Sequence, residues 1–192
     1  MKKSLAITLF LGALLPWSLQ AKEPDRQALL QALAEGGKVV LMRHAATEEA
    51  SAEVSMRLAG DCAQEQNLSA EGRAQAQAIA ALIEAARVPV QEVISSEYCR
   101  ARDTARIAFG GGEAWAALNL SEAMAEADSA FLFMDVEERM GDYQGEGNLV
   151  LISHRSNINI LVFEQTEPAD MVVLQPDGVG NVEVIGVLRA AD

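Results

Sequence analysis

Three short apolar runs alternate with helical patterns along this chain of 192 residues. The runs are "KVVLMRH" at 38–44, "VQEVISS" at 90–96 and "NLVLIS" at 148–153, and a segment with helical periodicity follows each of the last two directly. Strands that alternate with helices form parallel sheets whose crossovers are right-handed. The first run is apolar on both faces, which is typical of a strand at the centre of such a sheet.

The remaining segments complete one α/β domain. Apolar residues recur at helical spacing in five segments, at 23–37, 68–88, 97–110, 129–147 and 154–164. Asp25 and Ser69 are suitable N-caps for the first two helices. Residues 45–66 have no clean period and predict a long loop with room for a short helix. Two apolar runs within 170–189, separated by Pro176, Asp177 and Gly178, predict an antiparallel hairpin at the edge of a mostly parallel sheet.

The N-terminal segment has the pattern of a secretory signal peptide. Lys2 and Lys3 precede an apolar run that ends at Leu15, and the small residue Ala21 follows a Pro-Trp break. The apolar run is shorter than the ~20 residues that span a bilayer. We therefore expect a signal peptide at 1–21 and a mature domain at 22–192 that is periplasmic or secreted. An uncleaved anchor and a buried helix are the alternatives.

The charge balance limits the partners of the chain. Its 28 acidic and 15 basic residues give a formal net charge of -13. A surface this acidic repels nucleic acid and anionic membranes, and after signal cleavage we expect no membrane span. Any site for an anionic ligand must be a local basic pocket.

The chain has two cysteines, Cys62 and Cys99. An even number of cysteines in an oxidising compartment favours one disulfide, and two free buried thiols are the alternative. A bridge would close a loop of about 38 residues and stabilise the fold by roughly 3 to 4 kcal/mol. A zinc site built from both cysteines and both histidines is disfavoured, because the spacings match no short ligand pattern and arginines lie beside the histidines.

Polar and basic residues follow all three predicted parallel strands. In open α/β sheets the ligand site lies beyond the carboxyl ends of the strands. Arginine offers a fixed charge and forked donors that match phosphate oxygens, and histidine can be a nucleophile or a proton carrier near neutral pH. The pattern predicts a phosphoryl-binding site. The residues at these ends are Arg43, His44, Ser95, Ser96, Arg100, Arg102, Ser153, His154 and Arg155.

Some of these residues have simpler interpretations. Arg102, two positions after Arg100, points elsewhere on a helix and is expected at the surface. Ser95 and Ser96 are also suitable as caps of the helix that follows them. A Ser-His-Asp hydrolase has no support, since the chain contains no G-x-S-x-G sequence.

Four motifs in order resemble those of the histidine phosphatase superfamily, which has the phosphoglycerate mutase-like fold. "LMRHAATE" is similar to the Arg-His-Gly signature, with Ala45 in place of the glycine. "NLSAEGRAQAQAIA" resembles the Leu-Thr-x-x-Gly-x-x-Gln-Ala segment, and "ISSEYCRARDTA" the Ser-Ser-x-x-x-Arg-Ala-x-x-Thr-Ala segment. "VLISHRSNI" resembles the segment of the second histidine. The resemblance covers residues from about 38 to 160 and implies a three-layer α/β/α sandwich.

The resemblance also implies roles for individual residues. His44 would be the nucleophile that becomes phosphorylated, and Arg43 and Arg100 would bind the phosphoryl oxygens. His154 would complete the pocket, and Thr47 would add a hydroxyl donor. No metal and no cofactor are implied, because the arginines supply the positive charge.

The proton donor for the leaving group departs from the family pattern. The family often uses a Glu or Asp between the arginine helix and the second histidine. Here Glu122, Glu126 and Asp128 lie in that interval without the familiar flanking residues, and Glu122 is the leading candidate. Acidic residues on an exposed helix face are the simpler explanation. Arg155 stands where a glycine is common and would narrow the pocket or bind a second anionic group.

The sequence thus predicts a periplasmic, metal-independent phosphomonoesterase that acts through a phosphohistidine. A non-catalytic phosphate-ligand binding protein and a phosphomutase are the alternatives. The signal segment, the two cysteines and the tail at 170–178 resemble the small periplasmic branch, which includes lipopolysaccharide core heptose phosphatases. We expect a phosphorylated small molecule or glycan as the substrate, with the lipopolysaccharide core as one candidate.

Overall fold

The computed structural model describes residues 25–190 and contains one six-stranded sheet with helices on both faces. The predicted signal peptide at 1–21 lies outside the described residues. The strands are β1 (Val39–Arg43), β2 (Val90–Ser95), β3 (Glu113–Ala114), β4 (Asn148–Ser153), β5 (Met171–Pro176) and β6 (Val182–Leu188). The α-helices are α1 (Arg26–Ala34), α2 (Ala52–Met56), α3 (Ala70–Ala85), α4 (Cys99–Phe109), α5 (Glu126–Gly141) and α6 (Arg155–Val162). Short 3₁₀ turns lie at Cys62–Gln64, Ala116–Leu118 and Ser121–Ala123.

The sheet is mostly parallel, as the sequence predicts. The strand order is β3-β2-β4-β1-β5-β6. The first four strands run parallel, and β5 pairs antiparallel with both β1 and β6. The edge strand β3 has only two residues and was not predicted, because so short a segment shows no alternation. Arg43 at the end of β1 lies opposite Ser153 at the end of β4, so the residues that follow both strands meet at one edge of the sheet.

Side chains of β1 alternate between two separate cores. Val40 and Met42 pack with apolar residues of α1, α3 and α4, whereas Val39 and Leu41 pack with those of α5 and α6. This alternation follows from the two-residue period of a strand. The predicted three-layer α/β/α sandwich is confirmed.

The predicted caps and boundaries are largely confirmed as well. Asp25 accepts the Ala28 N–H at the start of α1, and Ser69 accepts the Gly72 N–H at the start of α3. Gly110 ends α4 in the left-handed conformation. The loop predicted at 45–66 contains α2 and one 3₁₀ turn. Within residues 25–190, no helix has the length and apolar character that a membrane span requires.

Candidate active site

The two histidines of the chain meet where β1 and β4 end. The His44 N–H donates to the Ser153 carbonyl at 3.0 Å, which joins the two strand ends directly. The ring centroids of His44 and His154 are 5.3 Å apart, and the rings are steeply inclined to each other. His44 is 9% and His154 2% exposed. The predicted convergence of both histidines on one edge of the sheet is therefore present.

His44 is held in one tautomer. Its Nδ1 lies 2.8 Å from the Ala45 carbonyl oxygen, which can only accept a hydrogen bond. Nδ1 therefore carries the proton, and the lone pair is at Nε2. Burial and then the charge of Arg100 lower the pKa of His44 to about 3, against an opposing effect of the Ala45 hydrogen bond. At neutral pH this side chain is an uncharged imidazole with a free nucleophilic nitrogen.

The loop after His44 is fixed by α3 and α4. The Ala45 N–H donates to Thr104 Oγ1 at 3.1 Å, and the Ala46 N–H donates to Gln75 Oε1 at 2.9 Å. Gly72 packs so closely on this loop that a Cβ atom there would overlap the Ala46 carbonyl oxygen. The glycine is required for this close approach, and the loop position in turn fixes the acceptor of the His44 ring.

Two arginines present unpartnered donors beside the histidines. Arg100 is 2% exposed, and its buried Nη1 has no hydrogen-bond partner among the described residues. Arg43 donates from Nη1 to the Thr166 carbonyl at 2.7 Å, whereas its buried Nε is unpartnered within residues 25–190. Burial lowers the pKa of both guanidinium groups, which remain charged at neutral pH. Buried donors without acceptors are costly, and they indicate a place for an anionic ligand.

Arg100 is positioned by the loop that precedes α3. Its guanidinium stacks on the Tyr98 ring at 4.3 Å, and the Tyr98 hydroxyl donates to the Met56 carbonyl at 2.7 Å. The buried Glu65 carboxylate accepts the Cys99 N–H at 2.9 Å, at the first residue of α4. Glu65 therefore supplies the acceptor at the start of this helix, where the Tyr98 side chain does not cap it.

The predicted disulfide reinforces the same junction. Cys62 and Cys99 are bonded, with their Cα atoms 5.6 Å apart. Both cysteines are therefore excluded from the zinc site that was weighed as an alternative. Across residues 25–190, no cluster of three or more His, Cys, Asp or Glu could hold a metal ion.

His154 lies deeper than His44 and has polar partners on both ring nitrogens. Its Nε2 lies 2.9 Å from Ser96 Oγ, and its Nδ1 lies 3.4 Å from Arg100 Nη2. Burial lowers the pKa of His154 well below its usual value, and the charges of Arg100 and Arg43 act in the same direction. Ser96 therefore contacts the histidine directly, and it is not a side-chain cap of α4.

Sequence comparison finds one family that part of this chain resembles. A sequence model described as the histidine phosphatase superfamily (branch 1) matches residues 39–132, which include His44 and Arg100. Over these residues the chain is similar to the histidine phosphatase superfamily. No curated protein matches the chain in sequence.

Solved structures of other histidine phosphatase-fold proteins are similar in fold. The protein histidine phosphatase SixA, complexed with tungstate, aligns with a TM-score of 0.58 at 17% identity, over 80% of this chain and 97% of SixA. A mycobacterial glucosyl-3-phosphoglycerate phosphatase aligns with a TM-score of 0.52 at 15% identity, over 78% of this chain and 97% of its own. A phosphoserine phosphatase variant from Entamoeba histolytica, in complex with phosphoserine, aligns with a TM-score of 0.50 at 15% identity, over 80% of this chain and 97% of its own. At these identities the likeness shows the fold.

Glu122 and Arg155 line a cavity of about 560 Å³ between α5 and α6. Gln165 and Ser121 line it as well. Glu122 is exposed and has no hydrogen bond to any described residue. Arg155 is also exposed and has no such bond or ion pair within residues 25–190, but its charge contributes to the lowered pKa of Arg43. The cavity therefore adjoins the phosphoryl pocket on the Arg155 side.

The side chains of Thr47 and Arg102 form no hydrogen bond with the site residues described above. The Thr47 backbone forms an isolated bridge with Leu68, and the Thr47 hydroxyl has no hydrogen bond to a described residue. Arg102 is exposed, as the sequence predicts. The hydroxyl that supports the signature loop belongs to Thr104, which is the threonine of the arginine motif.

Sequence reasoning missed three further residues of the site, namely Glu65, Tyr98 and Asn119. The Ser96 hydroxyl donates to Asn119 Oδ1 at 3.0 Å. Tyr98 lies within the arginine motif at a position that the pattern leaves open. Glu65 and Asn119 lie in aperiodic segments, and no sequence signal distinguishes them from exposed loop residues. Their contacts depend on the tertiary structure.

Proposed function

We propose that this protein is a phosphomonoesterase that acts in the periplasm through a phosphohistidine and without a metal ion. The observation that carries the proposal is the pairing of a free, uncharged His44 Nε2 with unpartnered buried donors on Arg43 and Arg100. Such an arrangement suits a tetrahedral anion whose phosphorus is attacked by the imidazole. The sequence similarity of residues 39–132 to the histidine phosphatase superfamily supports a phosphatase activity.

The chemistry proceeds in two displacements. In the first, a bond forms between His44 Nε2 and phosphorus while the ester P–O bond breaks, and the leaving alkoxide takes a proton. In the second, water attacks phosphorus, the P–N bond breaks, and inorganic phosphate leaves. The arginines stabilise the charge on the equatorial oxygens in both steps, which is the task that a metal ion performs in other phosphoryl-transfer sites.

The leaving group would lie in the cavity beside Arg155. Glu122 is the candidate proton donor there, since its carboxylate lines the same cavity. Arg155 would bind a second anionic group of the substrate. The substrate is best described as a phosphorylated small molecule or glycan, and none of the relatives reported above supports a lipopolysaccharide core substrate.

Two features support a location outside the cytoplasm. The N-terminal segment has the order of charged, apolar and small residues found in signal peptides. The Cys62–Cys99 disulfide suits an oxidising compartment. N-terminal sequencing of the protein from a periplasmic extract should begin near Lys22, and an intact N-terminus in the cytoplasmic fraction would contradict this location.

The activity is tested with an aryl phosphate. We expect release of inorganic phosphate that is lost in His44→Ala, unaffected by a chelator, and retained in Arg102→Ala, which changes an exposed arginine on the same helix as Arg100. Acid-labile phosphate bound to the protein after a rapid quench would identify the intermediate. Turnover that persists in His44→Ala would refute the mechanism.

A non-catalytic phosphate-binding protein is the second candidate. The exposed Glu122, which contacts neither histidine, favours it. This function predicts that inorganic phosphate raises the melting temperature while no aryl phosphate is hydrolysed. If the protein is a catalyst and Glu122 is its acid, Glu122→Gln should slow alkyl phosphates more than aryl phosphates, because alkoxides need a proton more.

A further inference from the structure

A chain of hydrogen bonds extends from His154 through residues that the proposed mechanism does not use. His154 Nε2 lies 2.9 Å from Ser96 Oγ, which lies 3.0 Å from Asn119 Oδ1. Asn119 Nδ2 lies 2.7 Å from the Glu97 carboxylate. On the opposite side of the ring, His154 Nδ1 lies 3.4 Å from Arg100 Nη2. His154, Ser96 and Asn119 are buried.

The groups at the two ends fix the donor and the acceptor of each bond in this series of hydrogen bonds. A carboxylate only accepts, so Asn119 Nδ2 donates to Glu97. The Glu97 backbone N–H donates to Asn119 Oδ1 at 2.8 Å, which confirms that the amide oxygen is the acceptor. A guanidinium only donates, so His154 Nδ1 accepts from Arg100.

Ser96 connects the two ends and leaves one arrangement. A hydroxyl has one hydrogen and two lone pairs. The hydrogen is directed to Asn119 Oδ1, while the Tyr98 N–H donates to the same Ser96 oxygen at 3.3 Å. The contact with His154 Nε2 must therefore be a bond that Ser96 accepts. His154 carries its proton on Nε2, and the Nδ1 lone pair faces Arg100 Nη2.

We propose that Ser96, Asn119 and Glu97 are positioning residues that hold His154 in the Nε2–H tautomer, so that binding of a phosphoryl group is coupled to uptake of one proton at Nδ1. The proposal rests on the proposed function. A proton from solvent bonds to the Nδ1 lone pair, the Nε2–H bond stays, and the ring becomes an imidazolium. The new N–H then donates to a phosphoryl oxygen, and no other bond changes.

The groups that face His154 explain why its ring takes up a proton only when a ligand binds. His44 and Arg43 lie at the end of β1, and Arg100 and Tyr98 lie at the start of α4. Burial and the charges of both arginines disfavour an imidazolium before a ligand binds. A dianionic ligand neutralises the arginines, and the imidazolium then gains a favourable partner.

The tautomer is measured by long-range ¹H–¹⁵N spectra of the histidine rings. The chain has only two histidines, so the ring that remains in His44→Gln is His154. We expect Nε2–H in the wild type. In Asn119→Ala, the Ser96 hydroxyl is free to donate to His154 Nε2, so the Nδ1–H tautomer of His154 should appear. The 3.4 Å contact between Arg100 Nη2 and Nδ1 is long and opposes this tautomer only weakly. The double variant Ser96→Ala/Asn119→Ala should lack this effect. Nδ1–H in the wild type would overturn the proposal.

Coupling to proton uptake is measured with sulfate, a tetrahedral dianion whose charge does not change between pH 5 and 8. Calorimetry in buffers of different ionisation enthalpy should give about one proton bound per sulfate at pH 7 in His44→Gln, and fewer when Asn119→Ala is added. Glu97→Gln keeps an acceptor for Asn119 Nδ2. Added to His44→Gln, it should leave the number of protons bound per sulfate unchanged. Sulfate binding without proton uptake in His44→Gln would overturn the coupling.

The same experiments separate this proposal from the proposed function. Proton-coupled sulfate binding without hydrolysis of any aryl phosphate by the wild type would refute the phosphatase and leave the tautomer assignment standing. Hydrolysis of an aryl phosphate by a wild type whose His154 carries its proton on Nδ1 would support the phosphatase and refute the tautomer assignment. Absence of sulfate binding would refute the coupling and remove the support for a phosphoryl site.

Discussion

Reduction of the Cys62–Cys99 disulfide should destabilise the protein and weaken its phosphate site. The two cysteines are 37 residues apart. In the chain-entropy model a loop of that length contributes about 4 kcal/mol to the free energy of unfolding at 25 °C. Since small domains are stable by only about 5–15 kcal/mol, this is a large share of the total.

The bridge also bears on the site, because Cys99 directly precedes Arg100. Without it, α4 is still held to the preceding loop by Glu65 and by the Tyr98 hydroxyl. We therefore expect the reduced protein to fold and to bind phosphate about tenfold more weakly, a change of about 1.4 kcal/mol.

The assay is urea unfolding followed by tryptophan fluorescence, with and without a reductant. The control is Cys62→Ala/Cys99→Ala, whose stability should equal that of the reduced protein and should not respond to the reductant. The phosphate affinity of each form is measured by calorimetry. If the oxidised and reduced proteins differ by less than about 1 kcal/mol, the entropic argument is wrong for this loop.

Further predictions concern pH, the adjoining cavity and one glycine. The pKa of His44 is about 3 in the folded state and about 6.5 in the unfolded chain, so between these pH values the unfolded state binds more protons and stability is lost as the pH falls. Acidification from pH 7 to 4 should lower the free energy of unfolding by about 3 kcal/mol through this residue. In urea titrations at both pH values, His44→Gln should therefore lose less stability than the wild type. Arg155→Ala should raise KM about tenfold for a phosphate ester with a second anionic group and change it little for an aryl phosphate; equal effects on both would contradict the role of Arg155. Gly72→Ala should destabilise the protein by about 1 to 3 kcal/mol, because the new methyl group overlaps the Ala46 carbonyl oxygen; an unchanged urea midpoint would show that the loop can move.

Local periodicity accounts for the parts of the fold that the sequence predicts well. The apolar run of β1 and the caps Asp25 and Ser69 act on residues close in the chain, so their signals survive without tertiary information. The two-residue strand β3 and the start of α5 at Glu126 were missed, since neither has a strong local pattern. The disulfide was correctly favoured from the number and compartment of the cysteines, but its geometry came only from the structure.

The sequence by itself determined which residues reach the candidate site. Arg43 is the last residue of β1, and His44 and His154 directly follow β1 and β4. The carboxyl ends of such buried parallel strands necessarily meet at one edge of the sheet. Only the tertiary structure decided which tautomers and hydrogen bonds these side chains have. The proton position on His154 depends on Ser96 and Asn119, and the acceptor of the His44 ring depends on a loop that Thr104 and Gln75 hold. Hydrogen bonds between residues far apart in the chain exist only after packing has brought their donors and acceptors within about 3 Å.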